Sequence, residues 1–126
     1  MLSRYIDEKL APLFLRVTLG STMLIAHGLP KLLTFSNNVN SFPDPLGITS
    51  KLSLSLTILA EVFCSVFLIL GIKVRLVTIP LIITMAVAAF IVHAGQPWKN
   101  QEMAVLYLFG FITIFVSGPG KFALKN

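Results

Sequence analysis

The chain has 126 residues, of which 56% are hydrophobic and 12% charged, with a mean hydropathy of +0.87. Soluble domains carry about 25% charged residues, so half that share argues against water as the main solvent. Ten lysines and arginines against five acids give +5. Those bases are scattered and form no stripe, which argues against a nucleic-acid partner.

The length suits one domain over residues 1–126. Cys64 is the one cysteine, so no intramolecular disulfide forms. One Cys and two His are too few for a four-ligand zinc site of these residue types, and no metal is expected. Cys64 and Met85 read as packing residues. The first apolar run is too long for the core of a cleavable signal peptide.

Four apolar segments follow in order. The first runs from about Leu10 to Leu33, with Pro12 in its first turn, where a missing N–H costs nothing. A polar loop, "TFSNNVNSFPDPLGITS", leads to the second, about Lys51 to Leu70, with Ser50 as expected N-cap and Gly71 as C-cap. A tight Gly-Ile-Lys-Val-Arg turn precedes the third, about Leu76 to Ala94, in which Pro80 removes one hydrogen bond and predicts a kink. After "GQPWKN" the fourth runs from about Gln101 to Ser117, capped by Asn100 and stopped by Gly118-Pro119-Gly120. At ~1.5 Å per residue each approaches the ~30 Å hydrocarbon core of a bilayer. Backbone groups in lipid bond internally, so the segments are helices. The fold class is all-α, an integral membrane four-helix bundle.

Orientation is read from the basic residues. Arg4, Lys9, Arg16, Lys73, Arg75, Lys121 and Lys125 lie toward one side, and Lys31, Lys51 and Lys99 toward the other. Seven against three predicts both termini in the cytoplasm. Trp98 then sits at the outer interface.

Each segment has one stripe that is smaller or more polar than the rest: Arg16, Gly20, Leu24, His27, Lys31; Ser53, Thr57, Glu61, Ser65; Thr78, Met85, Ala89, His93; Glu102, Leu106, Gly110, Thr113, Ser117. Unpaired charge at mid-bilayer costs at least ~2.5–3.5 kcal/mol, so these stripes are expected to face inward. Two clusters follow. Arg16 and Glu61 are expected to form a structural ion pair; the alternative is an Arg16 that snorkels to the interface and a protonated Glu61. His27, Lys31, His93 and Glu102 are expected around one pocket in the outer third, with Trp98, Gln96 and Lys99 closing over it.

The strings "LRVTLGSTMLIAHGLPKLL", "AEVFCSVFLILGIKVR", "MAVAAFIVHAG" and "EMAVLYLFGFITIFVSGPGKFAL" together resemble those of DoxX-type membrane proteins, over essentially the whole chain. The chain departs from the pattern at Cys64-Ser65, where small glycines are frequent, and at Ala123-Leu124-Lys125, where a Ser-Leu-Asp-like ending is frequent. The resemblance implies a small multi-pass protein of the bacterial cytoplasmic membrane, linked to redox work and to an oxidoreductase partner. The related DoxD subunit belongs to a thiosulfate:quinone oxidoreductase.

The preferred functional expectation is a redox-associated subunit that binds quinone. His27 and His93 would bond its carbonyl oxygens, Glu102 relay protons, and Lys31 stabilise a bound anion. With no flavin or nucleotide motif, electrons would come from a partner, and whether the chain is itself an enzyme stays open. Haem held between His27 and His93 is a disfavoured variant. The competing class is non-catalytic: a scaffold recruiting a soluble oxidoreductase, or a small proton-coupled carrier that would need a homo-oligomer. The lipid bilayer is a partner under every alternative.

Overall fold

The computed structural model describes residues 1–125. Four long helices carry the chain: α1 (Leu2–Leu33), α2 (Ser50–Leu70), α3 (Val74–Val92) and α4 (Trp98–Ser117). Each is long and apolar enough to cross a membrane. At ~1.5 Å per residue α1 spans about 48 Å, so its first turns, Leu2 to about Leu10, project beyond a ~30 Å core.

Several ends differ from the sequence expectation. The α2 cap is Thr49 and not Ser50: Thr49 Oγ1 accepts from Leu52 N at 3.1 Å. Helix α4 starts at Trp98, behind Pro97, so Asn100 lies inside its first turn and does not cap it. Gly71 closes α2 in the left-handed conformation, with Ile72 N donating to the Phe67 carbonyl at 2.9 Å, the arrangement that satisfies the last carbonyls of a helix.

Neighbours in sequence are neighbours in space: α1 packs on α2, α2 on α3, α3 on α4, and α4 back on α1. In the half nearer the termini all four helices are in register, around Met23, Leu68, Leu81 and Phe111, none of which is exposed. In the other half, Ser50–Ile58 of α2 packs on the end of α1, while α3 and α4 stay together. The bundle therefore parts there into two helix pairs. The loop between α1 and α2 folds over this end, with Phe35, Val39 and Phe42 on Leu54, Ile58 and Val62.

The closed end is tied by the C-terminal tail. Lys121 N donates to Glu8 O, Leu124 N to Leu70 O, and Lys125 N to Gly71 O. Arg16 is fully buried and donates to four carbonyls: Pro119 at 2.9 Å, Leu68 at 2.9 Å, Ile69 at 3.1 Å and Phe122 at 3.0 Å. Two of these belong to the last turn of α2, where carbonyls lack helical partners and the dipole favours a cation. The expected Arg16–Glu61 ion pair is thus not formed. Backbone carbonyls satisfy the guanidinium, and Glu61 has another partner.

Candidate functional site

Where the helix pairs part, they enclose a cavity of about 510 Å³, within the usual range for small-molecule sites. All four helices and the α1–α2 loop contribute walls. Its chemistry begins at Glu61, which is 3% exposed and receives Lys31 Nζ at 2.7 Å. Lys31 lies one turn beyond His27–Gly28 on α1. A helical side chain leans back toward the N-terminus, which carries the ammonium down to Glu61. The same Nζ lies 3.5 Å from the His27 carbonyl.

The depth of this pair follows from Gly28. A Cβ there would stand 2.5 Å from the Glu61 carbonyl oxygen, so α1 and α2 approach at a distance only glycine allows. Both contact segments are π-helical turns, Leu24–Gly28 and Leu59–Cys64, and a third, Ala88–Val92, ends α3 on the far wall. Such turns recur at functional sites because they re-aim side chains and release a carbonyl from the regular ladder. In the third, His93 N donates to Ala88 O, and Gln101 Nε2 donates to the neighbouring Ala89 carbonyl at 3.0 Å, locking α4 to α3.

The His27 ring lies on the cavity wall, edge-on to Tyr107 of α4 with centroids 5.5 Å apart. His93 is also on the wall, nearer the loops, with Nδ1 3.1 Å from Gln96 Oε1. An amide oxygen only accepts, so Nδ1 is the donor in this hydrogen bond. Asn100 Nδ2 donates to the same Gln96 oxygen at 3.0 Å. The Thr57 and Thr84 hydroxyls face the cavity but already donate to Ser53 O and Pro80 O.

Of the residues expected from sequence, His27, Lys31 and His93 lie on this wall, with Lys99 at its rim. Glu102 and Trp98 do not: both are exposed, Trp98 at 60%. Of the α4 stripe, Glu102, Leu106, Thr113 and Ser117 face outward while Gly110 is half-buried against Leu19 of α1, and Ala104, Leu108, Phe111 and Ile114 face the core. Thr113 shows why the polar-stripe rule misplaced this helix. Its hydroxyl donates to its own Phe109 carbonyl at 2.7 Å, so it needs no partner inside the bundle. Glu61, expected to be structural, is the carboxylate of the cavity. Tyr107 was missed; its position three residues from Ala104, four from Phe111, was the available signal.

The loop is fixed over the cavity by Asp44, whose carboxylate accepts from Ile48 N (2.9 Å), Thr49 N (2.8 Å) and Ser53 Oγ (2.8 Å). The hydrogen bond from Ser53, with help from the backbone amides, holds the Asp44 pKa below its ordinary value. Among the described residues there is no group of three or more His, Cys, Asp or Glu side chains that would hold a metal ion.

No curated protein and no solved structure matches the chain. The family model DoxX matches residues 11–94, two-thirds of the chain, from the first turns within the bundle to the end of α3. The matched span contains Arg16, His27, Gly28, Lys31, Glu61 and His93, and with four membrane-crossing helices it makes this chain a multi-pass membrane protein of the DoxX family.

Proposed function

We propose that the chain is a redox-associated membrane subunit that binds a quinone in the cavity between its two helix pairs. One observation carries this: a chamber with largely apolar walls, inside the membrane-spanning part, holding an ammonium–carboxylate pair at its deep end. A quinone head offers two carbonyl oxygens and no charge. Lys31 has three N–H donors, of which Glu61 and the more distant His27 carbonyl take two, and His27 and Tyr107 line the same cavity. Glu61 is the group to which a proton from the reduced ligand passes, with Lys31 holding it in place. Toward the loops the cavity is lined by His93 and Lys99, and Glu102 has no part in it. Electrons are exchanged with an oxidoreductase partner. The setting is the bacterial cytoplasmic membrane, with both termini in the cytoplasm, in keeping with seven basic residues against three.

The test is a titration of the detergent-purified protein with decylubiquinone, alongside solvent extraction for co-purified quinone. Lys31→Met and Glu61→Gln are each expected to weaken binding roughly tenfold or more, the scale of one charged hydrogen bond. Wild-type protein that neither contains nor binds a quinone sinks the proposal.

A further inference from the structure

Apolar side chains on the cavity wall also face outward. Leu56 of α2 is 49% exposed and Ile83 of α3 is 57% exposed, yet both line the chamber. In this half of the bundle the first turns of α2, Ser50–Ile58, rest mainly on the end of α1 rather than on α3. The opposite side differs: the His27 and Tyr107 rings bridge α1 and α4 at 5.5 Å. Beneath the chamber, Met23, Leu68, Leu81 and Phe111 are fully buried, which closes the route toward the termini. Above it, the loop presents Phe42, Pro43, Leu46 and Ile48, an apolar roof pinned through Asp44. All these residues except the loop lie within membrane-crossing helices, so the unpacked α2–α3 gap opens onto acyl chains.

We infer that the cavity is loaded from the lipid through the α2–α3 gap between Leu56 and Ile83, and that its ligand is a single-tailed amphiphile. The polar head lies at Lys31–Glu61 and the apolar tail remains in the gap. The inference rests on the quinone reading for the chemistry of the head and adds the tail, its route and the side chains that gate it. The physical reason is that the Leu56 and Ile83 side chains offer no hydrogen bond to a head group, while a hydrocarbon chain loses nothing by lying between two lipid-exposed apolar side chains.

The experiment uses the full-length protein and two probes: decylubiquinone, and the same dimethoxy-methyl-benzoquinone without its decyl chain. Leu56→Trp and Ile83→Trp each fill the gap at a lipid-facing position, where added apolar volume does not disturb the core. Leu106→Trp, at a lipid-facing position away from the cavity, is the control. Both gap variants are expected to weaken decylubiquinone binding at least roughly tenfold and to leave the tail-less probe within about twofold of wild type. Leu106→Trp is expected to bind both probes as wild type does. Undiminished decylubiquinone binding in the two gap variants overturns the inference. Equal loss of both probes overturns it too, because Leu56 and Ile83 would then border the head. Loss confined to Met103→Trp, on the α4 rim, moves the tail to the α1–α4 side and likewise overturns it. Failure of wild type to bind either probe strikes the quinone reading, a result distinct from any seen only in the variants.

Discussion

A guanidinium carries five N–H donors and no acceptor. Arg16 places its donors on four backbone carbonyls from two chain segments far apart in sequence. A carboxylate would satisfy at most two of those N–H groups; carbonyls from the α2 end and the tail satisfy more and join the segments. Arg16→Met removes the donors and leaves buried carbonyls unpaired, at a cost of about 3 kcal/mol or more. The expected result is a lower melting temperature in detergent and faster proteolysis after Ser117. Arg16→Lys recovers little, since one ammonium does not span the four acceptors. Lys31 and Glu61 follow the opposite logic: the carboxylate only accepts, and its side-chain donor is the Lys31 ammonium at 2.7 Å.

At the scale of elements, α1 and α2 meet through backbone, at glycine. Gly20 and Gly28 are eight residues apart, two turns along one α1 face, and a Cβ at either would press on α2 atoms within 2.6 Å. The contacts are unequal. At Gly20 the nearest atom is Ile69 Cγ1 of a side chain, with backbone no nearer than the Ser65 carbonyl oxygen at 3.2 Å, while at Gly28 the Glu61 carbonyl oxygen and carbon stand at 2.5 and 2.7 Å. Gly28→Ala therefore forces the helices apart and displaces Glu61, and is expected to destabilise by about 2–3 kcal/mol, in the range for overpacking. Gly20→Ala is expected to cost less. Thermal melts of the two variants, with decylubiquinone binding as second readout, check the order.

The α1–α2 loop carries a pH dependence. The Asp44 carboxyl titrates below its unfolded value in the folded loop, chiefly because Ser53 donates to its ionised form. A depressed carboxyl contributes order that is present above the unfolded pKa of about 4 and is lost as pH falls through the folded value. Hydrogen exchange at the Ile48 and Thr49 amides is expected to stay slow at neutral pH and to lose protection in acid. In Asp44→Ala the protection is expected to be low throughout.

For the whole molecule, four crossings and a tail that returns to Glu8 put both termini at the closed end. In a Cys64→Ser background, cysteines introduced at Lys121 and at Lys99 are expected to react with a membrane-impermeant thiol reagent from opposite faces. The Lys121 position should react in inverted vesicles, as the basic-residue bias predicts. Reaction of both positions from one face would break the four-span topology.

Composition and apolar run length alone determined the class of solvent, the four helices and their approximate ends, because the bilayer imposes one length and one backbone solution on every crossing segment. The inward faces of the first three helices were legible as well: Arg16 and Gly20 of α1, Ser53, Glu61 and Ser65 of α2, and Thr78, Met85 and Ala89 of α3 are buried. The tertiary structure decided the rest. Which acid pairs with which base depended on α1 and α2 meeting at Gly28 and on a tail folding back over Arg16. Neither contact is periodic in sequence. The rotation of α4 was hidden because a hydroxyl satisfied by its own helix looks the same in sequence as one that needs a partner.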